Sequence, residues 1–210
     1  MQAVSGPLKG EPTMIIVTLD GSHSPDSRAA QLLAYLGECL AYNAQDVRAL
    51  AARELPAGEL ARGAASGATR RQLDGALSGA GAVVVLTPVC QGAYSGLLKS
   101  CFDLLADDAL SGKVVLPIAV GRDNTHQLSI QHALKPVLDA VGARLVLGCL
   151  YITENHLRVH DDGLLVLDHA TENRLEAGLG RLLDALDGQR SEAATVRMVP
   201  RHARRVRCRG

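Results

Sequence analysis

The chain has 210 residues, 47% of them hydrophobic, which is enough for one full core and too few for two comfortable ones. Its 22 basic and 22 acidic residues give zero formal net charge, which argues against a nucleic-acid scaffold and against an acidic electron shuttle that docks through charge. With no Trp, one Phe and four Tyr, it also lacks the material for a base-stacking platform, so small-molecule partners are expected.

Residues 1–13 hold Gly, Pro, Lys and Glu without an apolar core, so they read as a disordered N-terminal extension rather than a signal peptide or anchor, with Met14 as a possible functional start. No later apolar run reaches spanning length, and the longest, near residues 82–89, is strand-sized. The five cysteines, Cys39, Cys90, Cys101, Cys149 and Cys208, are odd in number, widely spaced and without a C-x-x-C pair. They read as reduced intracellular thiols, and a soluble cytoplasmic protein is expected.

The first element, residues 15–19, is an apolar run that breaks into Gly21-Ser22-His23-Ser24-Pro25-Asp26-Ser27-Arg28 and then into a helix on Leu32, Leu33, Leu36 and Leu40. Unpaired N–H groups at a helix N-terminus carry partial positive charge, so a turn delivering Ser22, Ser27 and Arg28 there suits a phosphate. One glycine in place of G-x-G-x-x-G favours a mononucleotide phosphate held by side chains over a dinucleotide. The same residues also read simply as a capped helix.

A short second strand is expected at 46–50, a loop at 55–67 and a modest helix at 68–77. The uninterrupted β-branched run at 82–87 predicts a strand covered on both faces. A turn, a helix over 95–105, a strand at 114–120, a helix over 125–140 and a strand at 144–152 follow. The last helix, 168–186, aligns Leu175, Leu179, Leu182, Leu183 and Leu186. The Arg-rich end, residues 188–210, reads as a disordered tail or a contact for an acidic surface.

Five strands alternating with helices predict a doubly wound parallel sheet with helices on both faces. In such sheets ligands sit beyond the carboxyl ends of the strands at the switch point. Three turns converge there: the one after residue 19, the one at 88–96 and the one at 121–124. Glycines in the second allow a flat ligand to approach the backbone closely.

The run Thr87-Pro88-Val89-Cys90-Gln91-Gly92-Ala93-Tyr94-Ser95-Gly96-Leu97-Leu98-Lys99 resembles the T-P-V-Y-x-x-x-Y-S-G-x-L-K segment of NAD(P)H-dependent FMN reductases, nearest to the reductase components of alkanesulfonate and methanesulfonate monooxygenase systems. Gly112-Lys113-Val114-Val115-Leu116-Pro117, Ala133-Leu134-Lys135-Pro136-Val137-Leu138 and the turn from Gly21 to Arg28 resemble the same family. The likeness implies a flavodoxin-like domain over residues 14–187, with a five-stranded sheet in the order 2-1-3-4-5. It implies an NAD(P)H:FMN oxidoreductase that uses FMN with NADH or NADPH, supplies reduced flavin to a separate monooxygenase, and forms a homodimer or homotetramer.

Transferred residue by residue, the likeness puts Ser22, His23, Ser27 and Arg28 on the FMN phosphate side. Pro88, Val89, Cys90, Gln91, Gly92 and Ser95 would lie by the isoalloxazine, with Gly121 and Arg122 at its pyrimidine edge. Hydride passes directly between the two ligands, so no proton-transfer residue is nominated. Cys90 stands where the family has Tyr, Ser24 replaces an Arg, and Asp26 adds a charge that opposes phosphate unless it points outward. Arg122 replaces a Gly; its charge fits a flavin carbonyl, a nicotinamide-nucleotide phosphate or plain solvent exposure.

By the same likeness His132 lies in an interface helix, at a position where an inserted residue can produce a π-bulge, and would assist flavin exchange and assembly. His126 could orient the third turn. The acid- and His-containing stretch 154–162 would make a metal face on a helix, but its alternation with Leu157 and Val159 predicts a hairpin. Two alternatives stay open: a quinone or azo reductase with tightly bound FMN, and a flavin-binding electron carrier without turnover.

Overall fold

The computed structural model describes residues 14–43, 45–159 and 165–197. The parallel sheet is built from β1 (Ile15–Asp20), β2 (Asp46–Ala51), β3 (Ala80–Cys90), β5 (Val114–Gly121), β6 (Leu145–Val146) and β7 (Leu150–Thr153), with the short β4 (Ala93–Tyr94) folded back on β3. Its order is β2-β1-β3-β5, followed by β6 and then β7 along the far edge of β5. With β6 and β7 counted as the two halves of the fifth strand, this is the expected 2-1-3-4-5 order. The chain leaves β1 toward β2 and returns past it to β3, which places the switch point between the carboxyl ends of β1 and β3.

The strands form because their residues can be buried on both faces. Ala82, Val83, Val84, Val85 and Leu86 are all fully buried and alternate between two cores. Ala82, Val84 and Leu86 meet Leu32, Leu33, Leu36 and Leu40 of α1 (Arg28–Tyr42) and Leu175, Leu182 and Leu186 of α6 (His169–Arg197). Val83 and Val85 meet Leu73 and Leu77 of α3 (Gly67–Leu77), Leu98 and Phe102 of α4 (Gly96–Asp103), and Ile130, Leu134 and Leu138 of α5 (Gln127–Ala140). Each of these helices buries one largely apolar stripe at the spacing that its 3.6-residue period requires.

Four elements differ from the sequence expectation. The stretch expected as a loop at 55–67 contains a helix, α2 (Ala57–Arg62), opened by Pro56, whose carbonyl accepts from Glu59 N at 2.9 Å and Leu60 N at 3.1 Å, and closed at Gly63. Proline before a helix and glycine after it are helix boundaries as well as loop formers, and α2 has no buried residue to give it a periodic signature. The strand expected at 144–152 is split into β6 and β7. Leu147 N donates to Val115 O at 2.8 Å, and Pro117, two residues along β5, faces the same neighbour without an N–H to offer.

The turn expected after residue 87 is in fact a continuation of β3 to Cys90. There Gln91-Gly92 form a two-residue hairpin turn with φ of +50° and +78°, the double positive pattern of a type I′ turn. The last helix, expected to end at 186, continues to Arg197. The remainder of the expected tail, residues 198–210, and the expected N-terminal extension, residues 1–13, lie outside the described residues. The hairpin expected in 154–162 is present as β8 (Leu157–Val159) against β9 (Leu165–Leu167). Among the described residues, no helix is long and apolar enough to cross a membrane.

Helix α6 seals one whole core, so its buried leucines carry stability. Leu182→Ala removes a fully buried side chain and should lower the unfolding free energy by about 2–5 kcal/mol, read as a reduced urea midpoint at unchanged m-value. A loss within 0.5 kcal/mol would mean that α6 is not required to close the core.

Candidate active site

At the carboxyl end of β1 the chain turns sharply through Gly21. A Cβ there would sit 2.8 Å from Leu98 Cβ and 3.0 Å from Leu86 O, so only glycine fits. Gly21 N donates to Leu86 O at 2.8 Å, and Gly21 O accepts from the Ser95 hydroxyl at 2.7 Å. The first turn is thereby stitched to β3 and to the start of α4. Ser95 was expected beside the flavin ring. Its hydroxyl is instead fully buried, donating to Gly21 O and accepting from Leu98 N at 3.0 Å as the N-cap of α4. It positions the site rather than facing it.

Ser22 is fully buried. Its N–H donates to Asp20 Oδ1 at 2.8 Å, and Asp20 is held on its other oxygen by an ion pair with Arg53. The Ser22 hydroxyl has no hydrogen-bond partner among the described residues. An unpaired buried hydroxyl costs about 1–3 kcal/mol, a cost that an incoming phosphate oxygen would relieve once the turn shifted enough to admit it. Ser27 caps α1, accepting from Ala30 N at 3.1 Å. His23 and Asp26 are exposed, so the Asp26 carboxylate is turned to solvent. Arg28 opens α1, and its guanidinium lies 3.6 Å from Glu154 Oε2.

The second and third turns enclose a cleft of about 410 Å³ lined by Val89, Gln91, Gly92, Arg122, Asp123, His126 and Glu154. His126 lies over Gly92, where a Cβ would come 3.2 Å from its Nδ1. Gln91 holds a left-handed backbone that costs a non-glycine residue about 1–2 kcal/mol, the kind of local strain found at ligand sites. At Gly121 a side chain would collide with the Tyr151 hydroxyl, which donates to Asp123 O at 2.6 Å and so props the third turn. The Asp123 carboxylate accepts from Thr125 N at 2.8 Å, and its hydrogen bonds to Thr125 hold it below the usual Asp range. Arg122 is exposed and makes no hydrogen bond or ion pair among the described residues, so its donors are free for a ligand.

The family model described as NADPH-dependent FMN reductase matches residues 14–156. The chain belongs to that family. It is 33% identical over 144 residues to an FMN reductase (NADPH) of Pseudomonas putida, covering 69% of this chain and 73% of the relative. It is 36% identical over 146 residues to an FMN reductase (NADPH) of Escherichia coli, covering 69% and 75%. The apo crystal structure of the NADH:FMN oxidoreductase EMOB superposes with a TM-score of 0.69 at 29% identity, over 81% of this chain and 88% of that one. The flavodoxin-like fold and the NAD(P)H- and FMN-dependent oxidoreductase class expected from the sequence are therefore established.

The reductase's own residues fit FMN. The orphaned Ser22 hydroxyl, the α1 N-terminus and Arg28 form a phosphate-compatible corner, and the hairpin wall and third turn form a cleft within the size range of small-molecule sites. One expectation is revised. α5 is α-helical throughout, so His132 creates no π-bulge; it is exposed on that helix and does not line the cleft. Four contributors were not foreseen: Asp20, which ends β1, Arg53, which lies in the short 3-10 turn after β2, Tyr151, and Glu154, which was weighed only as a metal ligand. A larger groove of about 530 Å³ between α1 and α6 lies away from the strand ends.

Cys90, in place of the family's Tyr, is partly buried, and that burial pushes its thiol above the ordinary value of 9.0. A raised thiol pKa means the neutral form prevails at physiological pH, which disfavours Cys90 as a nucleophile. Alkylation by iodoacetamide, mapped to the Cys90 peptide, should be slow at neutral pH and accelerate only above the ordinary thiol range. Rapid modification at neutral pH would contradict this.

Proposed function

We propose that this chain reduces FMN as an exchangeable substrate, taking hydride from NADH or NADPH, and that the reduced flavin leaves for a separate flavin-dependent monooxygenase. When both ligands are bound, hydride passes from the reduced nicotinamide to the flavin, and the protein's task is to stack and orient them. Ser22, His23, Ser27, Arg28 and the first turn of α1 take the phosphate. The ring lies along Pro88, Val89, Cys90, Gln91 and Gly92, with Gly121 and Arg122 at its polar edge.

The observation that carries substrate-like rather than permanent binding is the cleft's open wall without Phe, Tyr or Trp, since a flat ring loses the aromatic stacking that would retain it. The phosphate corner is likewise lined by carboxylates, from Asp20 and Glu154, which weaken the hold on an anion. Assembly as a homodimer or homotetramer belongs to the same reading. It is supported by α5, where the exposed Leu128 and His132 stand one turn apart on one face.

The test is steady-state oxidation of NADH and NADPH with and without free FMN, together with gel filtration of the purified protein. Turnover that rises and saturates with FMN, by protein that emerges colourless, is expected. FMN-independent reduction of quinones by protein that stays yellow would establish the prosthetic alternative, and folded protein without turnover would establish a carrier.

A further inference from the structure

Arg28 does not stand free at the α1 N-terminus. Besides the 3.6 Å approach to Glu154 Oε2, its Nη1 donates to Glu154 O at 3.4 Å. Glu154 follows β7 and forms part of the cleft wall with Arg122, Asp123 and His126. The contact therefore joins the phosphate corner to the far side of the ring cleft. Both side chains are about half exposed, at 49% and 42%, and an exposed pair of this kind is easily broken. The two carboxylates near the corner differ in one respect. Asp20 has its own cation in Arg53, whereas Glu154 has only Arg28 as an ion-pair partner among the described residues.

We infer that Glu154 is an internal competitor of the flavin phosphate for Arg28. Carboxylate and phosphate present the same kind of acceptor oxygens to a guanidinium fork. With the site empty, Glu154 holds Arg28 across the cleft. An incoming phosphate draws the guanidinium away and leaves an uncompensated carboxylate beside a second anion, which lowers the affinity for phosphorylated flavin and speeds its departure. Glu154 is thus a specificity-determining residue that trades FMN affinity for exchange. This rests on the reading above that FMN binds with its phosphate at Arg28.

The experiment is equilibrium titration of FMN and of riboflavin, which lacks the phosphate, into wild type, Glu154→Gln, Arg28→Gln and the double variant. Glu154→Gln keeps the shape and the backbone acceptor and removes only the charge. It should bind FMN about three- to tenfold more tightly while leaving riboflavin unchanged, and should have no effect in the Arg28→Gln background. Unchanged FMN affinity, equal tightening of both flavins, or an undiminished effect without Arg28 would overturn the inference while leaving the FMN site standing. Failure of wild type to bind either flavin would overturn the underlying reading as well, and is recognisable as such.

Discussion

The hydrogen bond from the Ser95 hydroxyl to Gly21 O holds the site together. It is buried, 2.7 Å long, and joins two segments that the topology brings side by side at the switch point. Around it, Ser95 N donates to Thr87 Oγ1 at 2.9 Å, and the Thr87 hydroxyl donates to Pro88 O at 2.9 Å. Gly21, Thr87 and Ser95 are all buried, so each polar group depends on the others for its satisfaction. The small network fixes where β1 hands over to the phosphate corner and where β3 runs on into the hairpin wall. A phosphate and a ring can then be held at a set separation by backbone geometry that no exposed side chain controls.

Electrostatics at this end of the sheet is balanced rather than strongly cationic. Arg53 neutralises Asp20 beneath the first turn, Glu154 engages Arg28 above it, and Arg122 faces the cleft without a hydrogen-bond or ion-pair partner among the described residues. On the function proposed above, this balance lets the site attract an anionic ligand without retaining it firmly, which is the physical content of treating flavin as a substrate.

The strands and their order were legible in the sequence because burial on both faces leaves continuous β-branched runs, and because right-handed crossovers restrict the remaining choices. The shape of the first turn was legible for a local reason: Gly21 and Ser27 carry turn and cap signals within one short stretch. What escaped the reading depends on contacts distant in sequence. Arg53 meets Asp20 only because β1 and β2 run in register from Ile15 opposite Asp46 to Asp20 opposite Ala51. Glu154 reaches Arg28 only once β7 has been placed beside β5. The capping role of Ser95 was missed because a serine that caps a helix and one that contacts a ligand look alike in sequence. The Gln91-Gly92 turn was missed as a hairpin because glutamine lacks the left-handed preference that Asn or Asp would have signalled.

The account stands on the phosphate of FMN lying at the β1–α1 corner while the ring lies along the β3–β4 hairpin. A crystal structure of the protein with FMN tests this most directly. The account predicts phosphate density at the first turn of α1, within hydrogen-bond distance of Ser22 and Arg28, with the guanidinium drawn away from Glu154. Phosphate density at Arg122 with the ring outside the hairpin wall would contradict it.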